Sequence, residues 1–234
     1  MKKLFTLSAL LFAACGDDNA AKTDAAVATD AADIDAAVDA PPYVAPTPFA
    51  IAISTGGPDQ LMSVAPGPNG SFYAAGYAAT TATGAKFLIV ARITAAGALD
   101  TTFAAPNGFY TSTLEFKGGS DEIDVAVQSD GKIVVAGTIA NDVAVTDRDI
   151  GLFRVDATGV LDTSFGTLGT SRINLSSGYD DAGTLKYLDS ERGLAVGPID
   201  TLFLHAASRN DIDMGGMRQD TDFTVARQIG RAHV

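Results

Sequence analysis

Short apolar runs separated by turn residues follow one another along the chain from residue 49 onward. In the middle of the chain these runs cover residues 108–116, 122–128, 132–139 and 149–156. Their shortness, and their content of Val, Ile, Phe and Thr, predict β-strands rather than helices. The run 132–139 is apolar at nearly every position, as is typical of a strand covered on both faces. The pattern therefore predicts an all-β domain.

Glycine and aspartate mark the tight turns between these runs. Asp130-Gly131 separates two apolar runs and is a strong hairpin signal, because glycine accepts the positive φ angle that such turns require. Asn69-Gly70 occupies the same place in an earlier unit, whereas Ile199-Asp200 replaces the pair in a later one. The earlier unit contains apolar runs at 61–66, 71–77 and 86–94. The later unit contains apolar runs at 170–177, 193–197, 201–207 and 222–228. It also has about eight extra residues around 185–192.

A five-residue segment occurs twice, as Leu-Asp-Thr-Thr-Phe at 99–103 and as Leu-Asp-Thr-Ser-Phe at 161–165. A period of about sixty residues with strand-like content indicates a repeat architecture. Three four-stranded units in series predict a β-propeller-like fold of about three blades, with units at 49–97, 98–159 and 160–228. A β-solenoid is the alternative, but its repeats are normally much shorter.

The strings at 129–137, 149–154 and 159–166 resemble the delta-sixty repeat of bacteria. The resemblance is strongest in the middle unit and covers roughly residues 55–228. It implies a β-propeller of the seven-bladed type on a secreted or surface protein. Because no activity is known for that family, the resemblance implies no catalytic residue.

Arginines recur at a fixed distance before the repeated segment. Arg92 precedes Asp100, and Arg154 precedes Asp162, by eight residues in both units. We expect each arginine to bond its aspartate and to fix the crossing between successive blades. Recognition of an anion by the guanidinium groups, with Arg227 as a third copy, is the alternative.

Two aromatic residues end the repeated segments, Phe103 and Phe165. We expect Phe103 and Phe165, together with Leu99 and Leu161, to pack between the blades. We do not expect them to form a binding site.

The first fourteen residues have the character of a signal peptide. Met1-Lys2-Lys3 is followed by an apolar run that is too short to span a bilayer. The run ends in Ala-Ala-Cys-Gly and resembles the lipobox of bacterial lipoproteins, which predicts lipidation of Cys15. An ordinary secretory signal, with Cys15 as an incidental thiol, is the alternative.

Residues 15–48 are rich in alanine, aspartate and proline. With almost no large apolar side chain, this region is predicted to be a disordered tether between the anchor and the folded domain. At the other end, residues 229–234 resemble a translated sequencing adapter. We therefore expect them to be artefactual and the native chain to continue with further blades; a short natural protein is the alternative.

Charge and composition restrict the chemistry. The net charge of −12 argues against nucleic acid as a partner. One cysteine forms no disulfide within the chain. His205 falls inside an apolar strand and His233 in the suspect tail, so no nucleophilic triad is indicated. Asp147 and Asp149, with Asp211, Asp213, Asp220 and Asp222, are interpreted as solvated turn residues rather than a cation site.

The function expected from these observations is noncatalytic. A propeller anchored in the bacterial cell envelope, on the outer membrane or cell surface rather than the inner membrane, would bind or scaffold an extracellular protein or glycan. No cofactor or metal site is expected. The alternative is an extracytoplasmic hydrolase or lyase whose active site lies in blades beyond these three.

Overall fold

The computed structural model of the protein describes residues 50–54, 56–119, 121–141, 147–175, 179–181, 184–211 and 219–228. Residues Phe49–Val234 form one compact unit. The predicted signal peptide, the whole predicted tether with Cys15, and the final six residues lie outside the described part. Within the described ranges, no helix has the length and apolar character needed to cross a membrane.

The first blade is an antiparallel sheet of four strands. They are β1 (Asp59–Pro66), β2 (Phe72–Ala78), β3 (Phe87–Ile93) and β4 (Phe109–Glu115), hydrogen-bonded in chain order. The turn between β1 and β2 is tight because Gly70 adopts a φ of +76°. We call this sheet blade 1.

The second blade follows the same plan, whereas the third combines three strands in that order with a short additional strand. Blade 2 consists of β5 (Ile123–Val127), β6 (Ile133–Ala140), β7 (Asp147–Val155) and β8 (Thr170–Ile173). Blade 3 contains β9 (Tyr179–Asp181), β10 (Thr184–Val196), β11 (Leu202–Asp211) and β12 (Gln219–Gln228). The short strand β9 precedes the other three and pairs only with the start of β10. A short parallel pairing of β10 with β7 joins the two blades. The predicted all-β, propeller-like fold is confirmed.

The blades pack face to face around apolar side chains. Between blades 1 and 2 the core includes Tyr73, Leu88 and Phe103 on one side, and Ile123, Ile133 and Phe153 on the other. A second cluster lies between blades 2 and 3 and includes Val134, Ile150, Leu152, Phe165, Leu202 and Leu204. This explains why β6 is apolar at nearly every position: its side chains alternate between two buried interfaces.

The first strands of the blades lie side by side. The Val125 N–H on β5 donates to Ser63 Oγ on β1 at 3.3 Å. The turns that follow these strands therefore gather at one end of the molecule. We call it the hairpin end; it carries the turns at 67–71, 94–108, 128–132, 156–169 and 197–201.

The repeated Leu-Asp-Thr segment lies inside a blade, which differs from the expectation of a joint between blades. The chain after β3 turns back, and β4 pairs with β3 in register from Ile89↔Thr111 to Ala91↔Phe109. The Arg92 N–H donates to Gly108 O, and the Asp100 N–H donates to Arg92 O. These backbone hydrogen bonds keep the turn in the same sheet as β3 and β4. Each sheet therefore ends further along the chain than the corresponding repeat unit, for which the sequence predicts the bounds 49–97, 98–159 and 160–228.

The residues treated as an insertion at 185–192 are part of a strand. They form the first half of β10, which is thirteen residues long. Beyond its pairing with β11, this half contacts β9 and β7, so it supplies partners to two further strands.

Candidate binding groove

The turn after β3 is shaped by a network of polar side chains. Arg92 Nε donates to Asp100 Oδ2 at 2.8 Å, and Arg92 Nη2 donates to Thr102 Oγ1 at 2.8 Å. The Thr102 hydroxyl and N–H both donate to Asp100 Oδ1. These bonds from Thr102 lower the pKa of Asp100, with a smaller contribution from Arg92. The carboxylate is thus held charged within the turn.

The second copy of this network is more deeply buried. Arg154 Nε donates to Asp162 Oδ2 at 2.9 Å, and Arg154 Nη1 donates to Gln128 Oε1 at 3.1 Å. Its guanidinium carbon lies 4.8 Å from the centre of the Phe165 ring. Burial raises the pKa of Asp162, but hydrogen bonds from Ser164 and the charge of Arg154 outweigh it and lower the pKa to about 2.

These two networks explain why the arginine and aspartate side chains recur: they bond each other within the turns. This explanation requires no bound ligand. The structure brings Arg92 to Asp100 and Arg154 to Asp162, and it buries Phe103 and Phe165. Phe103 packs between blades 1 and 2, and Phe165 packs between blades 2 and 3. The side chain of Arg227 is outside the described part.

The turn of blade 1 touches the turn of blade 2. The Ala104 N–H donates to Thr158 O at 2.7 Å, and Arg92 Nη1 donates to Ala157 O at 3.2 Å. Gly159 allows this approach, because a Cβ there would lie 2.5 Å from Ala104 N. Its φ of +87° also favours glycine. The two turns therefore form the wall of a shared depression.

This depression is an open groove of about 520 Å³ at the hairpin end. Its lining is uncharged and combines aromatic rings, hydroxyl groups and an amide: Thr102, Ala104, Ala105, Asn107, Phe109, Tyr110, Thr111, Thr158, Gly159 and Val160. Sites for small ligands commonly combine an apolar surface with a few polar groups that fix orientation. The charged groups of the turns are engaged in their own hydrogen bonds instead of lining the groove.

Tyr110 is one of the two aromatic residues that line the groove. It lies on β4, is half-buried, and its ring packs at 5.6 Å from the ring of Phe153 in a tilted arrangement. Burial raises the pKa of the Tyr110 phenol, so the group stays neutral at physiological pH. A tyrosine held in this way presents both a ring face and a hydroxyl group.

Asp156 stabilises the turn of blade 2 that forms one side of the groove. Its Oδ1 accepts hydrogen bonds from the N–H and hydroxyl groups of Thr158 and from the N–H of Val160. Burial raises the pKa of Asp156, but these hydrogen bonds outweigh it and lower the pKa. The carboxylate fixes the turn, while Val160 is left largely exposed beside the groove.

A second cavity, of about 300 Å³, lies at the other end of blade 1. Its charged side chains have partners within the protein: Lys117 Nζ lies 2.7 Å from Glu115 Oε1, and Lys86 Nζ lies 4.4 Å from the centre of the Tyr77 ring. Because these charges already have partners, the smaller cavity is the weaker candidate.

The interpretation of Asp147 and Asp149 as solvated turn residues is wrong. Both lie on β7 and are buried, with exposed fractions of 6% and 5%. Asn141 Nδ2 donates to Asp147 Oδ2 at 2.7 Å and to Asp149 Oδ1 at 3.1 Å. Burial, followed by the charge of Asp149, raises the pKa of Asp147. Strand β7 begins before its apolar residues do. Both carboxylates therefore lie within the strand and are buried.

The remaining candidates for chemistry show no catalytic grouping in the described part. His205 lies on β11 and is half-buried. Among the described residues, no group of three or more His, Cys, Asp or Glu side chains is placed to hold a metal ion. The side chains of Asp211, Asp213, Asp220 and Asp222, and all of His233, are outside the described part.

Sequence reasoning missed two features of the structure. The groove depends on Ala105 and Asn107, which have no counterpart in the repeated segment, so the repeat gave no signal for it. In the sequence, Glu191 falls among the extra residues around 185–192, but in the structure it is buried on β10. Aligning Ala206 of β11 with Gly76 and Gly137 would have placed this glutamate among apolar residues.

Comparison with known protein families supports the repeat. The model of a family described as a domain of unknown function (DUF5122) β-propeller matches residues 128–165. The match runs from the end of β5 to the turn after β7. This segment of the chain is thus similar to a repeat of an uncharacterised β-propeller family. The searches of curated proteins and of solved structures gave no match.

Proposed function

We propose that this protein is a noncatalytic binding protein of the bacterial cell envelope. Its β-propeller holds a ligand at the hairpin end, and a lipid on Cys15 anchors it to a membrane. The observation that carries the binding role is the uncharged groove between the turns of blades 1 and 2.

The lining of the groove favours a neutral ligand rich in hydroxyl groups. The protein is strongly acidic, with a net charge of −12, but the residues that line the groove carry no formal charge. Thr102, Asn107 and Thr158 offer hydroxyl and amide groups, which both donate and accept hydrogen bonds. Tyr110 adds a ring face for apolar contact. A neutral glycan combines the same two kinds of surface and is the first class to test.

The binding role is tested with neutral oligosaccharides as probes. Cello-, malto- and chito-oligosaccharides are titrated into the full chain, and binding is followed by calorimetry and by saturation-transfer NMR. Because aromatic residues at the centre of a site carry much of the affinity, we expect Tyr110→Ala to weaken binding roughly tenfold or more.

The matched control is Phe203→Ala, which removes an exposed aromatic side chain from blade 3. We expect this variant to bind as the parent does. Equal binding by Tyr110→Ala and the parent, or no binding of any probe by the parent, would exclude the groove as a glycan site.

The lipid anchor is supported by the sequence around Cys15, which ends an apolar run in Ala-Ala-Cys-Gly. Stable anchoring requires more than one acyl chain, and lipidation of such a cysteine supplies them. Labelling cells with an alkyne fatty acid tests the anchor. We expect label on the parent protein and none on Cys15→Ala; an unlabelled parent contradicts the proposal.

A further inference from the structure

Glu191 occupies a position that is apolar in the other two blades. It pairs with Ala206, directly before the irregularity in β10 at Arg192. The equivalent pairs are Leu61↔Gly76 in blade 1 and Ile123↔Gly137 in blade 2. Ile123 is buried in the cluster between blades 1 and 2. Glu191 therefore stands where the fold places an apolar contact between neighbouring blades.

The carboxyl group of Glu191 is buried at the junction of blades 2 and 3. The residue has an exposed fraction of 0%. Its backbone N–H donates to Thr138 Oγ1 on β6 at 2.9 Å, which ties it to blade 2. Neither carboxyl oxygen has a well-formed hydrogen bond to the described residues, and the Gly193 N–H is the backbone donor that still acts on the group. A charged carboxylate in such surroundings is strongly unfavourable.

The charged groups around Glu191 are mostly acidic. From blade 2, Asp124 on β5 and Glu122 just before it face Glu191. Arg192 on β10 is the nearby cation, and its Nη2 lies 3.6 Å from Glu122 Oε1. β6 contributes Thr138 and no charged side chain.

The other elements that pack on β10 also carry charged side chains. On β7, the charge of Asp147 interacts with those of Asp149 and of Asp189 on β10, and Arg148 pairs with Leu188 of β10. On β11, the neighbour of Ala206 is His205, which pairs with Gly193 and lies on the opposite face of the sheet.

Burial and the surrounding charges act in the same direction. Burial raises the pKa of Glu191, and the negative charges of Asp124 and Glu122 raise it further, to about 8. The backbone N–H of Gly193 and the charge of Arg192 act in the opposite direction without offsetting burial.

We propose that Glu191 is a proton-binding site that holds blade 3 against blade 2. With the carboxyl group protonated, the blades pack closely; loss of the proton draws water to the carboxylate and loosens the contact. The site is independent of the groove, which lies between blades 1 and 2.

The direction of the pH effect follows from linkage. The packed state binds a proton over a range in which the unfolded chain, with a glutamate pKa near 4.5, has released it. The stabilisation is fully present below pH 4.5 and is lost as the pH rises through about 8. Within this interval, each pH unit changes the equilibrium between packed and open states by up to about tenfold.

The test is hydrogen–deuterium exchange of the full chain at pH 6 to 9, corrected for the intrinsic exchange rate. Protection of β11 in blade 3 is compared with protection of β2 in blade 1. We expect protection of β11 to fall relative to β2 as the pH rises in the parent, and the ratio to stay constant in Glu191→Gln. An unchanged ratio in the parent, or the same fall in Glu191→Gln, overturns the proposal.

A carboxylate in blade 1 provides the matched control. Glu115→Gln removes a partly exposed carboxylate that pairs with Lys117, and we expect it to keep the parent's pH dependence. If Glu191→Gln does not fold, the ¹³C shift of the Glu191 carboxyl group in the parent decides the matter. A titration above pH 7 supports the site, and a titration below pH 6 overturns it.

Discussion

At the scale of single residues, the two copies of the Arg–Asp network differ in how much solvent they meet. The side chain of Arg154 is 4% exposed and that of Arg92 is 14% exposed. Arg154 also bonds Gln128, while Arg92 reaches the neighbouring blade through Ala157 O. The same sequence pattern thus produces a buried ion pair in blade 2 and a more exposed one in blade 1.

This difference predicts unequal costs for removing the two arginines. Arg154→Ala removes the buried hydrogen-bond donor to Gln128 and leaves the partly buried Asp162 with Lys132, 3.3 Å away, as its remaining cation. We therefore expect the free energy of unfolding to fall by about 3 kcal/mol. Arg92→Ala removes a more solvated pair and is expected to cost about 1 kcal/mol. Urea unfolding at pH 7 measures both. Lys117→Ala, from an exposed pair, is the control and should change stability by less than about 0.5 kcal/mol.

Equal losses from Arg154→Ala and Arg92→Ala would contradict this explanation. Equal losses would show that the stabilisation comes from hydrogen bonds within the turn, which both copies share, and not from burial of the ion pair.

At the scale of elements, the contact between neighbouring turns depends on a glycine whose replacement would force the turns apart. Gly159 and Gly131 both have positive φ angles, of +87° and +81°. A Cβ on Gly159 would lie 2.5 Å from Ala104 N, whereas a Cβ on Gly131 would meet Ala157 Cβ at 3.7 Å. The two positions share the backbone constraint and differ in the space available.

Alanine substitutions at these two positions distinguish the energetic cost of the positive φ angle from the cost of disturbing the contact between the blades. Gly131→Ala is expected to cost roughly 1–2 kcal/mol, because only the left-handed conformation is penalised. Gly159→Ala adds a clash with Ala104 and is expected to cost about 2 kcal/mol more. Thermal and urea unfolding measure the difference, and two variants of equal stability would contradict the close approach of the turns.

The hairpins could be predicted from sequence because their chemistry is local. Asp130-Gly131 forms the expected turn, and the apolar run after it became β6. The place where each sheet ends could not be predicted in this way. A repeat has the same period wherever it is divided, and only the pairing of β3 with β4 shows that the Leu-Asp-Thr turn closes a blade. The groove and Glu191 depend on contacts between blades, which a single unit does not encode.

At the scale of the whole molecule, the three blades meet at two unlike interfaces. The interface between blades 1 and 2 has an apolar core, with Tyr73, Phe103 and Phe153 among its side chains. The interface between blades 2 and 3 joins an apolar cluster to the buried acids Glu191 and Asp189. We therefore infer that blades 1 and 2 form the more stable pair and that blade 3 responds to pH.

The face of blade 1 that points away from blade 2 is covered by residues 50–54. Ile53 packs there against Ala78, Ile89 and Ala91. Asp59 Oδ2 accepts hydrogen bonds from the N–H groups of Ile53 and Ser54, at 2.5 and 2.8 Å. This segment therefore shields an apolar sheet face that no other described strand covers.

We expect this cover to contribute to the stability of the whole domain. Ile53→Ala removes a side chain that is 9% exposed, and the expected loss is about 2 kcal/mol. Val64→Ala, at a position 67% exposed on β1, is the matched control and should have little effect. Urea unfolding gives both values, and binding of a hydrophobic dye reports whether the face has become exposed. If Ile53→Ala behaves like Val64→Ala in both measurements, the segment adds nothing to the fold and the face of blade 1 is stable without it.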